Sequence, residues 1–292
     1  MTRELFDSFW RAAAYCVHPK VIALSLAPLV IVGGAAAALG YFYWEPALAG
    51  VRASLDESAL LEPMFAWLRS IGAGGWASVL VPLVVVAVAV PVFVVATLLV
   101  AALLMTPAIV RLVAARRFPR LEARRGGSFW SGVAVSLGCT AVAVAALVLS
   151  IPFWFVPPLV LVLPPLIWGW LTYRVFAYDV LSTHASRDER IRLLDDERWP
   201  LLGMGIACGA MGAAPSLLWA VSALALVLAP FLILVSIWLY TLVFAFSSLW
   251  FAHYLLAALE RIRRAAAADA AGSAALARAA PPTSPEPRPD PA

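Results

Sequence analysis

Residues 79–105 read VLVPLVVVAVAVPVFVVATLLVAALLM, and this stretch decides the fold class. It holds no charged side chain, and the uncharged sequence around it extends from residue 70 to residue 110. A helix needs about 20 apolar residues to cross the hydrocarbon core of a bilayer. Because lipid offers no hydrogen-bond partners to the backbone, an apolar segment of this length crosses it as a helix. We therefore predict an all-α integral membrane protein.

The composition of the whole chain points the same way. Of its 292 residues, 63% are hydrophobic and 13% are charged, and the mean hydropathy is +0.91. A soluble domain of this size needs far more charge to cover its surface. The three cysteines, Cys16, Cys139 and Cys208, are scattered along the chain. We therefore predict neither a disulfide framework nor a metal site.

The chain is predicted to form about six transmembrane or partly re-entrant helices. The first uncharged run, residues 21–43, has 23 residues, which as a helix extend about 34 Å. Two longer uncharged runs, 126–173 and 199–259, are each long enough for two crossings. The predicted spans are about 21–43, 79–105, 129–151, 156–175, 200–228 and 231–257.

A proline-rich turn is predicted between the third and fourth spans. Its prolines are Pro152, Pro157, Pro158, Pro164 and Pro165, and the segment has no charged side chain. Two alternatives remain open. The turn either reaches the far surface or stops inside the bilayer as a re-entrant pair of helices.

Three segments outside the spans carry signals of their own. Residues 1–20 place apolar side chains at helical spacing opposite charged ones, which predicts an amphipathic helix in the headgroup region. Ser186-Arg187-Asp188-Glu189 has the spacing of a capping box and predicts the start of a short polar helix. Residues 261–292, rich in alanine and proline, are predicted to form a disordered cytoplasmic tail.

The distribution of basic residues predicts the orientation. Residues 111–125 contain six arginines and residues 174–198 contain five, whereas the loop 45–69 contains two. With six spans, the basic segments all fall on one side of the membrane, together with the N-terminus and residues 261–264. Basic loops face the cytoplasm. Both termini are therefore predicted to be cytoplasmic.

Two patterns of small or polar residues predict helix packing. Gly205-x-x-x-Gly209 is a small-residue face suited to close contact with another helix. Ser236, Tyr240 and Ser247, with Thr241 beside them, fall near one face of the last span. Such a stripe either lines a polar path or, more often, bonds to its own helix or a neighbour.

The order of several short motifs resembles a known family. The motifs are His18-Pro19-Lys20 followed by Pro28, Pro107 before the basic segment, Tyr178-Asp179 with His184, and Gly203 and Gly205 after Arg198. Together they resemble the CysZ-type sulfate permease and etoposide-induced-protein family over residues 5–260. The resemblance implies a helical inner-membrane protein that can contain half-crossing helices. In the CysZ branch it implies sulfate uptake.

Six basic residues near the predicted cytoplasmic ends of the spans are the candidate substrate-binding residues. They are Arg111, Arg116, Arg117, Arg174, His184 and Arg187. Guanidinium groups bind oxyanions through paired hydrogen bonds, so such residues at a pore mouth can hold sulfate. The alternative is that they set the topology and touch anionic lipid headgroups. Arg111 and Arg174, the closest to the membrane, are the preferred candidates.

The sequence favours a permease for a small oxyanion such as sulfate. The alternative is a non-transporting membrane scaffold or an envelope- or lipid-organising protein. A membrane enzyme is disfavoured, because the sequence shows no catalytic motif, and we predict no catalytic residue, metal or cofactor. The expected partners are the lipid bilayer, its anionic headgroups and an oxyanion; a homo-oligomer is left open, and nucleic acid is not expected. The predicted location is the bacterial inner membrane.

Overall fold

The computed structural model describes residues 2–57, 70, 76–124, 126–212 and 229–279. Within these ranges every regular element is a helix, which confirms the predicted all-α class. The elements are α1 (Thr2–Cys16), α2 (Pro19–Asp56), α3 (Trp76–Arg117), α4 (Phe129–Ser150), a 3-10 helix (Ile151–Phe155), α5 (Pro157–Leu181), α6 (Arg187–Asp196), α7 (Arg198–Gly212) and α8 (Ala229–Ala279).

Four helical segments among the described residues are long and apolar enough to cross a membrane. They are Pro19–Ser54, Val79–Arg117, Trp130–Phe153 and Phe231–Leu276. These segments confirm that the chain is a membrane protein. The predicted span 156–175 lies within α5, and the predicted span 200–228 begins in α7 and continues outside the described residues. The total of about six spans stays a prediction.

Two helices extend well past the span ends that the sequence predicts. The predicted span 21–43 lies inside α2, which continues to Asp56, and the predicted span 79–105 lies inside α3, which continues to Arg117. Prolines fall inside both helices, each removing one backbone hydrogen bond. The helices nevertheless continue, because α2 and α3 pack along each other. Hydropathy indicates only where the apolar residues end. Alanine and arginine are both good helix formers, so a helix can continue past that point.

The proline-rich turn between α4 and α5 is short and ordered. After the 3-10 helix, Val156 adopts an extended conformation with φ −102° and ψ 105°, and α5 begins at Pro157. Proline suits the first helical position because its missing N–H has no partner there. α4 and α5 pack against each other on either side of the turn. How deep the turn lies in the bilayer stays a prediction.

The segment predicted to be a disordered tail is helical in its first part. α8 runs without interruption from Ala229 to Ala279, so residues 261–279 continue it. The reason is that alanine has the highest helix propensity of all residues and that α8 already supplies the nucleus. Residues 280–292 lie outside the described residues.

The core of the structure forms around α8. This helix contacts α1, α2, α3, α5, α6 and α7. Its segment 249–256 is buried throughout, with Phe251 and Leu255 completely inaccessible. The middle of α8 is therefore the element on which the other helices assemble.

α5 and α7 cross at two glycines. A Cβ atom added to Gly205 would lie 2.1 Å from the carbonyl oxygen of Gly169, and one added to Gly169 would lie 2.4 Å from Cγ1 of Ile206. The backbones of the two helices therefore touch. Gly205 is the packing residue that the sequence indicated, whereas Gly209 has no described heavy atom within 4 Å of its Cβ position.

The predicted topology can be tested with reporter fusions. We expect a fusion after residue 120 to be active as a cytoplasmic reporter, because it follows the arginines at the end of α3. A fusion after residue 60 should be active only as a periplasmic reporter. Periplasmic activity at 120, or cytoplasmic activity at 60, would overturn the orientation.

Candidate functional site

Arg263 of α8 connects one helix and two loops, and we call these contacts the Arg263 cluster. Its Nε and Nη2 donate to the two carboxylate oxygens of Glu189, each at 2.9 Å. Nη1 donates to the carbonyl oxygen of Glu122 at 2.8 Å, and Nη2 also donates to that of His184 at 2.7 Å. The Arg263 and Glu189 side chains are only 16% and 15% exposed. This two-pronged ion pair is therefore largely shielded from water, where such pairs are strongest.

The loops that follow α3 and α5 lie side by side and both contact Arg263. The backbone N–H of Arg124 donates to the carbonyl oxygen of His184 at 3.4 Å. The Arg124 side chain donates to Glu189 at 3.1 Å. A Cβ atom on Gly126 would lie 2.2 Å from the carbonyl oxygen of Ala185. Glycine is required at residue 126 because the two backbones approach so closely.

The predicted capping box is present at the start of α6. The Ser186 hydroxyl accepts from the backbone N–H of Glu189 at 3.2 Å, and the Glu189 carboxylate accepts from the backbone N–H of Ser186 at 2.8 Å. The hydrogen bond from Arg263 is the main reason that the pKa of Glu189 falls from 4.5 to about 2. Glu189 thus caps α6 and neutralises Arg263 with the same carboxylate.

His184 is part of this loop architecture. It is buried, and its Nδ1 lies 2.8 Å from the hydroxyl oxygen of Thr183. Burial, and then the positive charge of Arg263, lower the pKa of His184. A neutral imidazole cannot attract an anion by charge. Its backbone carbonyl, which accepts from Arg263, is the group by which His184 holds the cluster together.

A second cluster surrounds Arg261, two residues earlier on α8. Arg261 donates to Glu4 of α1 and, at 2.5 Å, to Glu197 between α6 and α7. Glu197 also accepts from the hydroxyl of Tyr254 at 2.6 Å and is buried. We call these four residues the Arg261 cluster. It ties α1 and the start of α7 to α8.

A third cluster, the Arg117 cluster, joins the end of α3 to α1 and α8. Arg117 donates to the carboxylate of Asp7 at 3.1 Å, and its Nη1 lies 3.3 Å from Nδ1 of His253. Arginine can only donate, so Nδ1 accepts and Nε2 of His253 carries the proton. Asp7 also accepts from Arg11 at 2.7 Å, and this hydrogen bond is the main cause that lowers the pKa of Asp7.

The six residues predicted to bind substrate have different partners in the structure. Arg117 and His184 belong to the Arg117 and Arg263 clusters respectively. Arg111 donates to the carbonyl oxygen of Pro107 at 3.0 Å, and the Arg174 guanidinium lies 5.8 Å from the centre of the Trp170 ring. Arg116 and Arg187 are exposed. Among the described residues, no hydrogen bond or ion pair links any two of the six.

The residues that organise this side of the protein were not among the predicted site residues. They are Glu4, Asp7, Glu189, Glu197, Arg261 and Arg263. The sequence contained one signal, since Glu4 and Asp7 are acids on an otherwise apolar and basic N-terminal helix. The sequence does not show which arginine each acid pairs with, because the paired residues are up to 257 positions apart.

The Tyr178-Asp179 motif lies beyond the predicted span of α5. The Tyr178 hydroxyl donates to Ser131 at 2.6 Å, and the Arg190 guanidinium lies 4.5 Å from the centre of the Tyr178 ring. Burial raises the pKa of the neighbouring Asp179 carboxyl to about 6. Tyr178 therefore joins α4, α5 and α6.

The polar stripe predicted on the last span bonds mainly within the protein. Ser247 donates to the carbonyl oxygen of Val243 at 2.8 Å, one turn back. The Thr241 hydroxyl lies 2.7 Å from the carbonyl oxygen of Trp238 and 3.0 Å from that of Ser25 on α2. For these two residues the packing interpretation of the stripe applies.

Comparison with known proteins assigns a family. A family model described as sulfate transporter CysZ/etoposide-induced protein 2.4 matches residues 8–222. This range begins within α1, includes α2 to α7 and covers most of the chain. No curated protein and no solved structure gives a significant match.

Proposed function

Because this chain belongs to the sulfate transporter CysZ/etoposide-induced protein 2.4 family, we propose that it is a multi-pass permease of the bacterial inner membrane that carries a small oxyanion, with sulfate as the first candidate. The family match is the observation that carries the proposal. The finer assignments, which are the substrate and the membrane of residence, rest on that match together with the arginines near the predicted cytoplasmic ends of the helices.

The partners of the arginines support a division of labour among them. Arg117, Arg124, Arg261 and Arg263 each donate to a carboxylate, so each already has an acidic partner. Arg111 and Arg174 make no ion pair with a described residue. An arginine without an acidic partner among the described residues can take an oxyanion, which guanidinium binds in a two-pronged geometry.

Arg111 and Arg174 also lie at suitable places along the helices. Arg111 is on α3 just after the apolar stretch, and Arg174 is on α5 at the end of its uncharged run. The half-buried Arg174 lies near the Trp170 ring, which can hold a guanidinium partly out of water. A weakly hydrated guanidinium costs less to desolvate when an oxyanion binds it.

Substitution of these two arginines should reduce transport. We expect Arg111→Gln or Arg174→Gln to lower sulfate uptake roughly ten- to hundred-fold, because a hydrogen bond to a charged group contributes about 1.5–3 kcal/mol. Uptake of labelled sulfate would be measured in liposomes that contain the purified protein. Arg120→Gln is the matched control, since Arg120 is exposed and lies beyond the end of α3.

Two results would contradict the proposal. Absence of sulfate flux in the unsubstituted protein, with other small oxyanions tested in parallel, would favour the scaffold or lipid-organising alternative. Equal and small losses in all three variants would show that Arg111 and Arg174 only set topology or touch anionic headgroups.

A further inference from the structure

One face of α1 packs on α8. The Phe9 ring meets the rings of Phe246 and Trp250 edge-on, with centroids 5.3 Å and 5.1 Å away. The Trp250 indole N–H donates to the carbonyl oxygen of Leu5 at 3.3 Å, and Ala12 is completely buried. These contacts fix which side of α1 faces outward.

A second face of α1 exposes large apolar side chains. Phe6 and Trp10 are each 67% exposed, and Val17, which directly follows the helix, is 74% exposed. Phe6 and Trp10 are four residues apart and therefore share one face of α1, which Ala13 continues toward Val17 at the end of the helix. We call Phe6, Trp10 and Val17 the apolar strip. Two large apolar side chains on one face of a short helix, with a third directly after its end, form a patch that in soluble proteins marks an interaction surface.

A third face of α1, beside the apolar strip, is charged. It carries Arg3, Glu4, Asp7 and Arg11, so its charges balance. Both acids are already bound to arginines, Glu4 to Arg261 and Asp7 to Arg11. An apolar strip next to a charged one is the arrangement of a helix that lies in the plane of a membrane surface.

The connection to α2 holds α1 at the membrane. α1 ends at Cys16 and α2, which contains a membrane-crossing segment, begins at Pro19. Two connecting residues reach at most about 7 Å. The turn is closed, because the backbone N–H of His18 donates to the carbonyl oxygen of Tyr15 in α1 at 3.0 Å. The apolar strip therefore cannot move far from the lipid.

We propose that Phe6, Trp10 and Val17 insert into the lipid leaflet at which α2 begins. The apolar strip then faces the acyl chains to a depth of about 5–10 Å, and the charged strip faces water. Trp10 suits this position because its ring is apolar and its N–H remains polar. Since the charges on α1 balance, insertion is driven by apolar area and does not require anionic lipid. This inference is independent of transport.

Nitroxide labels would measure this insertion directly. The full chain, with Cys16, Cys139 and Cys208 replaced by alanine, would be reconstituted in vesicles of zwitterionic phosphatidylcholine. We expect a label at Trp10→Cys to be several-fold more accessible to oxygen than to a water-soluble nickel complex. A label at Arg11→Cys, on the neighbouring charged strip, should show the reverse, and Phe6→Cys provides a second reading of the apolar strip.

Three results would overturn the proposal. Preferential access of the nickel complex to the labels at Trp10→Cys and Phe6→Cys would place the strip in water. Spin–spin broadening at these positions would mean that a second copy of the chain covers it. Shielding that appears only after phosphatidylglycerol is added would mean that headgroup charge, and not apolar area, drives the contact.

Discussion

Replacing Gly205 with alanine is expected to destabilise the folded protein by about 3 kcal/mol, because the new methyl group meets a helix backbone. Its Cβ would lie 2.1 Å from the carbonyl oxygen of Gly169 and 3.2 Å from the backbone nitrogen of Tyr173. A flexible side chain could turn aside, but these atoms cannot move unless α5 separates from α7. Gly169→Ala should have a similar effect, since its Cβ would lie 2.9 Å from the backbone nitrogen of Ile206.

Two other glycines of α7 provide matched controls. Gly203 and Gly209 have no described heavy atom within 4 Å of their Cβ positions. Alanine there should be neutral or stabilise the helix by up to about 1 kcal/mol, because glycine is the poorer helix former. The free energy of unfolding would be measured by titrating SDS into mild-detergent micelles. Equal losses at residues 203, 205 and 209 would contradict the α5–α7 crossing.

Arg263→Ala is expected to cost about 3 kcal/mol, since removing one partner of a shielded ion pair leaves the other uncompensated. Among the described residues, the Glu189 carboxylate would keep only the exposed Arg124 as a charged partner. The carbonyl oxygen of Glu122 would lose its donor from Arg263, and that of His184 would keep only the backbone N–H of Arg124.

Arg264→Ala is the control on the next residue. Arg264 is 76% exposed, and in the described part of the chain its one ion pair is with Glu260, one turn back. Such pairs contribute about 0.5 kcal/mol at most.

The ion pair also predicts how stability depends on pH. The pKa of Glu189 is lowered from 4.5 to about 2 in the folded protein. The ionised Glu189 carboxylate therefore contributes fully to the free energy of unfolding above pH 4.5, and this contribution is lost as the pH falls toward about 2. We expect the unsubstituted protein to lose more stability over this interval than Glu189→Gln does. Parallel pH curves for the two proteins would show that Glu189 does not carry the effect.

The sequence was sufficient for the features that depend on local composition and spacing. The apolar stretch at 79–105 predicts a membrane helix because it is long enough to cross the hydrocarbon core of a bilayer and has no charged side chain. The capping box at Ser186 and Glu189 needs only residues three positions apart. Both are present in the structure. The motifs around Pro107 and Tyr178-Asp179 were likewise enough to indicate the family, which the match over residues 8–222 confirms.

The candidate site was much less predictable. All six predicted residues are basic, and the sequence ranked them by their distance from the membrane. The structure adds the acidic partners, and with them the distinction between arginines that pair with a carboxylate, such as Arg263, and arginines that pair with none among the described residues, such as Arg174. The structure also differs from the prediction of a disordered tail over residues 261–292, because α8 continues as a helix through residues 261–279.

The sequence by itself therefore determined the helical membrane class, the apolar segments, the start of α6 and the family. Only the tertiary structure decided that Gly205 packs against Gly169 and that Glu4 pairs with Arg261. It also decided that Glu189, which caps α6, pairs with Arg263. The physical reason is the range of the interactions. Hydropathy and helix capping act over a few neighbouring residues. Ion pairing and close helix packing depend on which distant segments meet, and one linear charge pattern permits many such pairings.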